Sequence, residues 1–189
     1  DSLTCNLMEY TEDKKINFCL PSLRVDNFNL PLAQKIQKVR KSGLTFAPEA
    51  GSQRMRDVIN KNVNEEDILK TSKLVFENGW NNIKLYFMIG LPYETDEDVA
   101  AIGELAFKVQ DEYFSIEKQQ RPKGTRITVS VSSFVPKPHT PFMWAKQNSI
   151  SELIDKQEIL RNTTKSKLIN LNWHDADVSI LEGVFARGD

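Results

Sequence analysis

Four short loops in this sequence combine a proline or glycine with polar or charged side chains, and each follows a predicted strand. The loops are residues 21–26, 48–52, 90–95 and 136–141. Proline and glycine fix the direction of the backbone, and a few converging polar groups are what hold small molecules in pockets. Two of the loops lead into helix N-termini, where free N–H groups favour an anion or a carboxylate. The pattern predicts a small-molecule site.

Each loop also fits a structural role. Glu49 is equally compatible with capping or neutralising the helix start that follows it, and Glu94 with the role of a first-turn acid. Arg24 with Asp26 fits a surface ion pair, and His139, which lies among three prolines, fits a loop residue better than a ligand. Local sequence leaves these alternatives open.

Other kinds of chemistry have little support. No group of His, Cys, Asp and Glu residues has metal-ligand spacing, and no serine lies in a nucleophile-elbow pattern. Residues 90–92 lack the lysine and the spacing of a phosphate loop.

The strands that must position these loops are short and apolar. They are predicted over residues 16–20, 44–47, 83–89 and 127–135. The run 83–89 is nearly unbroken apolar sequence, which predicts a strand buried on both faces.

Helices are predicted between and after the strands. One covers residues 30–42 and another follows Gly51, and three begin at polar N-caps: Asn64, Thr95 and Ser149. The last two fit capping boxes with Asp98 and Glu152. The helix after Ser149 is predicted to carry the apolar residues Ile154, Leu160 and Leu168.

The alternation of strands and helices predicts an α/β fold with a parallel sheet. Four strands are too few for an eight-stranded barrel, so an open sheet or a partial barrel fits better. In either arrangement ligands gather at the carboxyl ends of the strands.

Composition limits the function classes. The chain has 189 residues, 40% of them hydrophobic, and a formal net charge of −1, which favours one domain or a large piece of one and no general attraction to nucleic acid. No apolar run approaches the roughly 18 to 20 residues that span a membrane, and no signal-peptide pattern is present. Cys5 and Cys19 do not suggest a disulfide framework, so we expect a cytoplasmic protein.

Two longer stretches resemble a known family. GLTFAPEAGSQRMRDVINK at 43–61 and IKLYFMIGLPYETDEDV at 83–99 look like the second half of a radical S-adenosylmethionine (SAM) domain. Residues 16–26, 132–142 and 178–189 fit the same pattern, so the resemblance covers nearly the whole chain. The closer likeness is to cobalamin-domain-containing radical SAM Fe–S oxidoreductases of unknown substrate, and methylthiotransferases and the coproporphyrinogen-oxidase type are more distant.

The resemblance implies a fold and an activity. The fold is an incomplete, TIM-like (β/α)6 barrel, of which this chain supplies about strands three to six with their covering helices. The mouth of such a barrel holds a [4Fe-4S] cluster with SAM. The parent enzyme reductively cleaves SAM to a 5′-deoxyadenosyl radical, which abstracts a hydrogen atom from a substrate that the sequence does not reveal.

The resemblance also implies cofactor-binding positions at the end of the fourth strand of the barrel. Glu49 stands where many relatives have Gln, and Lys61 where they usually have an Arg that pairs with the methionine carboxylate. Ser52 belongs to the same turn and would meet ribose or the amino acid, while Gly51 would let the backbone approach the ligand.

Further positions would face the adenine. The implied residues of the fifth-strand motif and of the sixth-strand edge are Ile89, Gly90, Leu91, Pro92, Glu94, Phe134 and Val135. Ser22 and Arg24 fall at the third-strand end, toward the cofactor or substrate. Tyr86 departs from the family, because several relatives carry Asp there.

The family's Cys-x-x-x-Cys-x-x-Cys loop is absent from this sequence. Three thiolates must hold the cluster, and Cys5 and Cys19 do not have that spacing. By resemblance, residues 1–189 are a single fragment of a radical SAM core domain without its cluster-binding N-terminal part. We expect this fragment to be inactive alone, with no catalytic or metal-ligating residue, and to hold no cofactor. Cobalamin would belong to a separate domain.

The expected partners follow from that interpretation. They are the missing N-terminal part of the same chain and an unknown substrate, with no membrane and no direct indication of nucleic acid. An unpaired sheet edge and an apolar barrel interior would be exposed, which predicts a homodimer or coverage by terminal segments.

Two rival interpretations stay open. The chain also fits a complete, non-redox α/β module that binds a nucleotide or another small molecule. Less strongly, it fits a piece of a hydrolase or aldolase-type barrel in which Glu49 and Lys61 act as acid–base or Schiff-base groups.

Overall fold

The computed structural model describes Tyr10 and residues 43–188, which form alternating strands and helices. The strands are β1 (Leu44–Glu49), β2 (Asn82–Ile89), β3 (Arg126–Ser133) and β4 (Ile169–Trp173). The helices are α1 (Gln53–Val58), α2 (Glu65–Glu77), α3 (Asp96–Ser115), α4 (Ile150–Thr163) and α5 (Ala176–Arg187). The predicted strand 16–20 and helix 30–42 lie outside the described residues, as do Cys5, Cys19, Ser22 and Arg24.

The four strands form one parallel sheet in the order β1-β2-β3-β4. Parallel neighbours require crossover connections, and the intervening helices supply them. The predicted α/β class is therefore confirmed, and the arrangement fits a partial TIM-like barrel. Within the described residues no helix is long and apolar enough to cross a membrane.

One face of the sheet forms the core. On β2 the buried positions are Ile83, Leu85, Phe87 and Ile89, and they alternate with partly exposed ones. The prediction that residues 83–89 are buried on both faces is wrong, because Lys84, Tyr86 and Met88 lie on the opposite face. The described helices pack on the first face, where Val75, Ile102 and Leu160 join the same cluster.

The opposite face of the sheet is polar. The strand register places Thr45, Lys84, Thr128 and Asn170 in one row across all four strands. A second row on the same face contains Tyr86, Ser130 and Asn172, and Lys84 lies 4.5 Å from the centre of the Tyr86 ring. The expectation of an apolar barrel interior is therefore wrong for the described strands, whereas the interiors of TIM barrels are usually filled with Val, Ile and Leu.

The predicted helix starts are confirmed because local hydrogen bonds determine them. The Asn64 side chain accepts from the Asp67 N–H, and the Thr95 and Ser149 side chains form capping boxes with Asp98 and Glu152. The predicted apolar side of α4 is partly wrong. Leu160 is buried, but Ile154 is 52% exposed, and Leu168 follows the end of the helix at Thr163.

The strand β4 and the helix α5 extend the fold beyond the predicted elements. Ile169, Leu171 and Trp173 pair with residues of β3, while the asparagines between them point to the polar face. Helix α5 packs through Ala176, Ser179 and Gly183. Its other side carries exposed apolar residues: Val178, Leu181, Val184 and Phe185.

Candidate functional site

A cleft of about 590 Å³ opens at the carboxyl ends of the strands. Such a position is where ligands bind in parallel α/β folds. Five of the sequence-predicted site residues line it: Glu49, Lys61, Leu91, Phe134 and Val135. The cleft is also lined by Ile59, Met88, Ser132, Ser133, Lys137, Thr140, Pro141, Phe142, His174 and Glu182.

Glu49 is placed in the cleft by an irregular end of β1. The register with β2 shifts between Phe46 and Glu49, and Glu49 has a left-handed backbone with φ of 69°. A non-glycine residue in this region is uncommon and is held there by its surroundings. The Glu49 carboxylate lies 3.3 Å from Lys61 Nζ, with both side chains more than a quarter exposed. The pair therefore presents both charges to the cleft.

The turn after Glu49 is braced by a residue that the sequence did not single out. Arg56 is completely buried, and its Nη1 donates hydrogen bonds to the carbonyl oxygens of Ala50 at 3.0 Å and Gly51 at 2.8 Å. The Arg56 carbonyl in turn accepts from the Lys61 N–H at 2.8 Å. Burial lowers the pKa of Arg56. One arginine thus ties the Glu49 turn to the segment that carries Lys61, and a basic residue in a six-residue helix gives no local signal of this role.

Gly51 approaches a helix rather than the cleft. A Cβ on Gly51 would lie 2.3 Å from the backbone nitrogen of Ile102 and 2.6 Å from the carbonyl carbon of Ala101. The close approach of the turn to α3 therefore requires glycine, and Gly51 does not line the cleft. Packing alone therefore requires glycine at position 51, whether or not a ligand binds.

Ser52 caps α1, so the alternative in which Glu49 caps this helix is not needed. The Ser52 hydroxyl accepts from the Met55 N–H at 3.1 Å and donates to Asp98 Oδ1 at 2.6 Å. Arg54 binds the same Asp98 carboxylate and also donates to the Tyr93 carbonyl at 2.9 Å. These contacts join the N-termini of α1 and α3, and Ser52 lies outside the lining of the cleft.

Asp98 is strongly acidic. Burial alone would raise the pKa of its carboxyl, but the hydrogen bonds that it accepts outweigh burial, with that from Arg54 first among them. They lower the pKa of Asp98 to about 2. The carboxyl group of an aspartate in an unfolded chain has a pKa of about 3.9. The ionised carboxylate therefore stabilises the fold at pH values above about 4, and this stabilisation is lost as the pH falls toward about 2.

We expect Asp98→Asn to lower the free energy of unfolding by about 2 kcal/mol at pH 7, because the amide cannot replace the ionised acceptor. The difference from the unsubstituted protein should shrink between about pH 4 and pH 2, where Asp98 itself becomes protonated. Urea unfolding at several pH values measures this. Asp155→Asn, at an exposed position of α4, is the control. A difference that stays constant down to pH 2 would contradict the assignment.

The predicted adenine-facing residues divide into two groups. Leu91, Phe134 and Val135 line the cleft, whereas Ile89, Gly90, Pro92 and Glu94 do not. Ile89 belongs to the core under the helices. Glu94 does not act as a first-turn acid, since its carboxylate turns back to the Gly90 N–H at 2.7 Å and to Lys156 at 2.9 Å.

The far wall of the cleft comes from the end of β4 and from α5. Lys137 lies 3.2 Å from Glu182 of α5, which places a second Lys–Glu pair in the lining. His174 follows β4, and its backbone N–H donates to the Val131 carbonyl at 3.2 Å. Sequence reasoning missed this wall because it missed β4. His139 is an exposed loop residue with φ of 60° and does not line the cleft.

The described residues fit one of the two implied cofactors. No group of three or more His, Cys, Asp or Glu side chains among them could hold a metal ion, so a [4Fe-4S] cluster does not fit this part of the chain. SAM combines an adenine, a ribose and a charged amino-acid end. The cleft offers apolar side chains beside a Glu–Lys pair at its base, which fits that combination.

Comparison with known proteins identifies the class that this fold and cleft define. Residues 3–106 match the family described as the Radical SAM superfamily, and the chain belongs to that superfamily. The chain is also similar to the uncharacterized protein MJ0966 of Methanocaldococcus jannaschii, with 32% identity over 183 residues. This match covers 97% of the present chain but 38% of the relative.

The resemblance seen in the sequence is thus confirmed at the level of the superfamily. Because the relative is itself uncharacterized, the cobalamin-domain subtype stays a prediction.

Proposed function

We propose that this chain forms the adenosine and methionine side of the SAM site in a radical SAM Fe–S oxidoreductase. The observation that carries the proposal is the charged pair Glu49–Lys61, which lies in the same cleft as the apolar residues Leu91 and Phe134. Membership of the radical SAM superfamily supports the identity of the ligand.

Opposite charges in the cleft match the two ends of an amino acid. Lys61 carries the charge that pairs with the carboxylate of the methionine part, and Glu49 the charge that pairs with its ammonium group. Leu91, Phe134 and Val135 supply the apolar surface that an adenine ring requires. When bound beside a reduced [4Fe-4S] cluster, SAM supplies the radical chemistry of the superfamily.

The cluster would come from outside the described residues. We propose that it is held by a part of the same polypeptide that precedes this segment, and that residues 1–189 alone are inactive. A separate cobalamin domain belongs to the same proposal. Pairing of two copies through a sheet edge stays a prediction, with β1 and β4 as the outermost strands of the described sheet.

The polar face of the sheet favours a polar substrate. Thr128 and Ser130 of β3 and Asn170 and Asn172 of β4 share this face with Ser132, which lines the cleft. An apolar substrate would leave these groups without hydrogen bonds, at a cost for each buried one.

Titration of the complete natural polypeptide with SAM tests the proposal. We expect Lys61→Met to weaken SAM binding about thirtyfold in calorimetry, because a charge-assisted hydrogen bond is worth about 2 kcal/mol. S-adenosylhomocysteine, which keeps the amino-acid end, should lose affinity by a similar factor. Adenosine, which lacks that end, should bind equally well to Lys61→Met and to the unsubstituted protein.

The matched control is Lys108→Met, which removes a lysine paired with Glu65 at 2.6 Å on the helical surface. This variant should bind SAM as the unsubstituted protein does. If neither the unsubstituted protein nor Lys108→Met binds SAM, or if AMP binds better than SAM, a non-redox nucleotide-binding module becomes the better assignment. Formation of 5′-deoxyadenosine under reducing, anaerobic conditions is the second measurement, and it tests the activity separately from the binding.

A further inference from the structure

A buried ion pair lies at the turn that follows β2, outside the lining of the cleft. Lys156 Nζ of α4 is 2.9 Å from Glu94 Oε2, and the two side chains are 12% and 3% exposed. The same carboxylate oxygen accepts a hydrogen bond from the Gly90 N–H at 2.7 Å. One carboxylate therefore connects helix α4 with the first residue after the strand.

The backbone of this turn needs support from its surroundings. Gly90 has φ of 78° and Tyr93 has φ of 66°, so left-handed residues lie at both ends of the segment between them. For a bulky residue such as Tyr93 this conformation is strained and persists only where neighbouring contacts hold it. Space is also limited, since a Cβ on Gly90 would lie 2.8 Å from Asn148 Oδ1.

The conformation of the turn determines a wall of the cleft. Leu91 directly follows Gly90, is 5% exposed, and packs in a small cluster with Met55 and Phe134. Leu91 and Phe134 both line the cleft. A shift at Gly90 would therefore move an apolar surface that faces the proposed adenine position.

We propose that Lys156 is a positioning residue for this cleft: it holds the Glu94 carboxylate in place, and Glu94 holds the turn at Gly90 that positions Leu91. The proposal rests on the proposed SAM site. Lys156 itself lies on α4, outside the lining of the cleft.

The charges around Glu94 predict what removal of Lys156 does. Burial raises the pKa of Glu94, and Lys156 and the Gly90 N–H oppose that rise. Asp98 of α3 also raises the pKa of Glu94. Asp98 is itself paired with Arg54 of α1. Without Lys156, Glu94 would be a buried carboxylate with no direct cation among the described residues, and its pKa would rise further. A pH-dependent defect should result.

Three variants of the complete natural polypeptide test this: Lys156→Met, Glu94→Gln and the double variant. SAM affinity is measured by calorimetry at pH 6 and pH 8, and deuterium uptake is followed in the peptide that contains Gly90. We expect Lys156→Met to weaken SAM binding about tenfold at pH 8 and by less at pH 6, because a lower pH favours the neutral form of Glu94. Deuterium uptake near Gly90 should increase in parallel, relative to the unsubstituted protein at each pH.

The double variant provides the rescue. Glutamine keeps the shape and an acceptor oxygen for Gly90 without a charge, so Glu94→Gln with Lys156→Met should bind SAM within about threefold of the unsubstituted protein at both pH values. The matched control is Lys146→Met, because Lys146 pairs with Glu152 at 3.1 Å but is 76% exposed. This variant should change neither measurement.

A Lys156→Met defect that persists in the double variant would overturn the positioning role and leave only a packing role. Unchanged SAM affinity in Lys156→Met would also overturn it. If the unsubstituted protein fails to bind SAM, the proposed function fails. Uptake near Gly90 then decides separately whether Lys156 holds the turn.

Discussion

Replacement of Gly51 by alanine is expected to lower the free energy of unfolding by about 3 kcal/mol, at the upper end of the cost of overpacking. The added Cβ would lie 2.3, 2.6 and 2.8 Å from backbone atoms of Ile102 and Ala101. Backbone atoms cannot rotate away as a side chain can, so the turn and α3 must separate. Hydrogen bonds to Asp98 of α3 from Ser52, the N-cap of α1, and from Arg54 of α1 would be strained by the same shift.

Thermal unfolding measures this effect, which should lower the melting temperature by about 10 °C for a chain of this size. Gly124→Ala is the control, because Gly124 has φ of 70° and its nearest neighbour to a new Cβ is 4.0 Å away. That variant tests backbone strain without steric conflict and should cost about 1 kcal/mol. Equal losses in the two variants would show that close packing on α3 is not what requires glycine at position 51.

Features of the fold that depend on neighbouring residues were predictable from the sequence. The N-caps Asn64, Thr95 and Ser149 each make their hydrogen bond within three residues, so their sequence pattern already contains the interaction. The same holds for the alternation of strands and helices, which determines a parallel sheet through the length of its connections.

The burial of the two faces of the sheet was not predicted, although part of the signal was present. Lys84 interrupts the apolar run of β2 and lies on the polar face. The alternation of asparagine with apolar residues in 169–173 is a strand pattern on a short segment. Which face the helices cover is decided by the neighbouring strands, and a single strand does not contain that information.

The candidate site likewise contains residues that the sequence identified and residues that it did not. Glu49 lies in a loop that the sequence alone indicated, whereas Lys61 was identified through the family resemblance, since the pairing of residues twelve positions apart depends on how α1 returns the chain to the cleft. Lys156 lies 62 positions from Glu94, and Arg56 acts through main-chain carbonyls, which have no signature in the sequence. Residues such as these, which act by positioning other residues, are recognised only when the fold is known.

Replacement of Arg56 by methionine is expected to destabilise the protein by about 3 kcal/mol and to weaken ligand binding in the cleft. Methionine fills much of the same volume but leaves the carbonyls of Ala50 and Gly51 without their donor, at a cost of about 1 to 3 kcal/mol for each buried group. Removal of a buried cation with an unpartnered Nε offsets part of this loss, which is why we expect less than the sum.

The functional consequence distinguishes Arg56 from an ordinary core residue. Since the Arg56 side chain holds the turn that follows Glu49, its loss should weaken SAM binding about tenfold even where the protein remains folded, because displacement of a charge-assisted contact is worth about 1.4 kcal/mol. Chemical denaturation and calorimetry on one preparation measure both effects.

The matched control is Arg121→Met, since Arg121 also donates to main-chain carbonyls, those of Ile116 and Phe114, but near the surface. Water can replace it there, so we expect a loss of stability below about 1 kcal/mol and unchanged binding. Equal destabilisation by the two variants would contradict the larger cost that we assign to leaving buried carbonyls without a donor. Unchanged SAM affinity in folded Arg56→Met would show that Arg56 does not position the residues of the cleft.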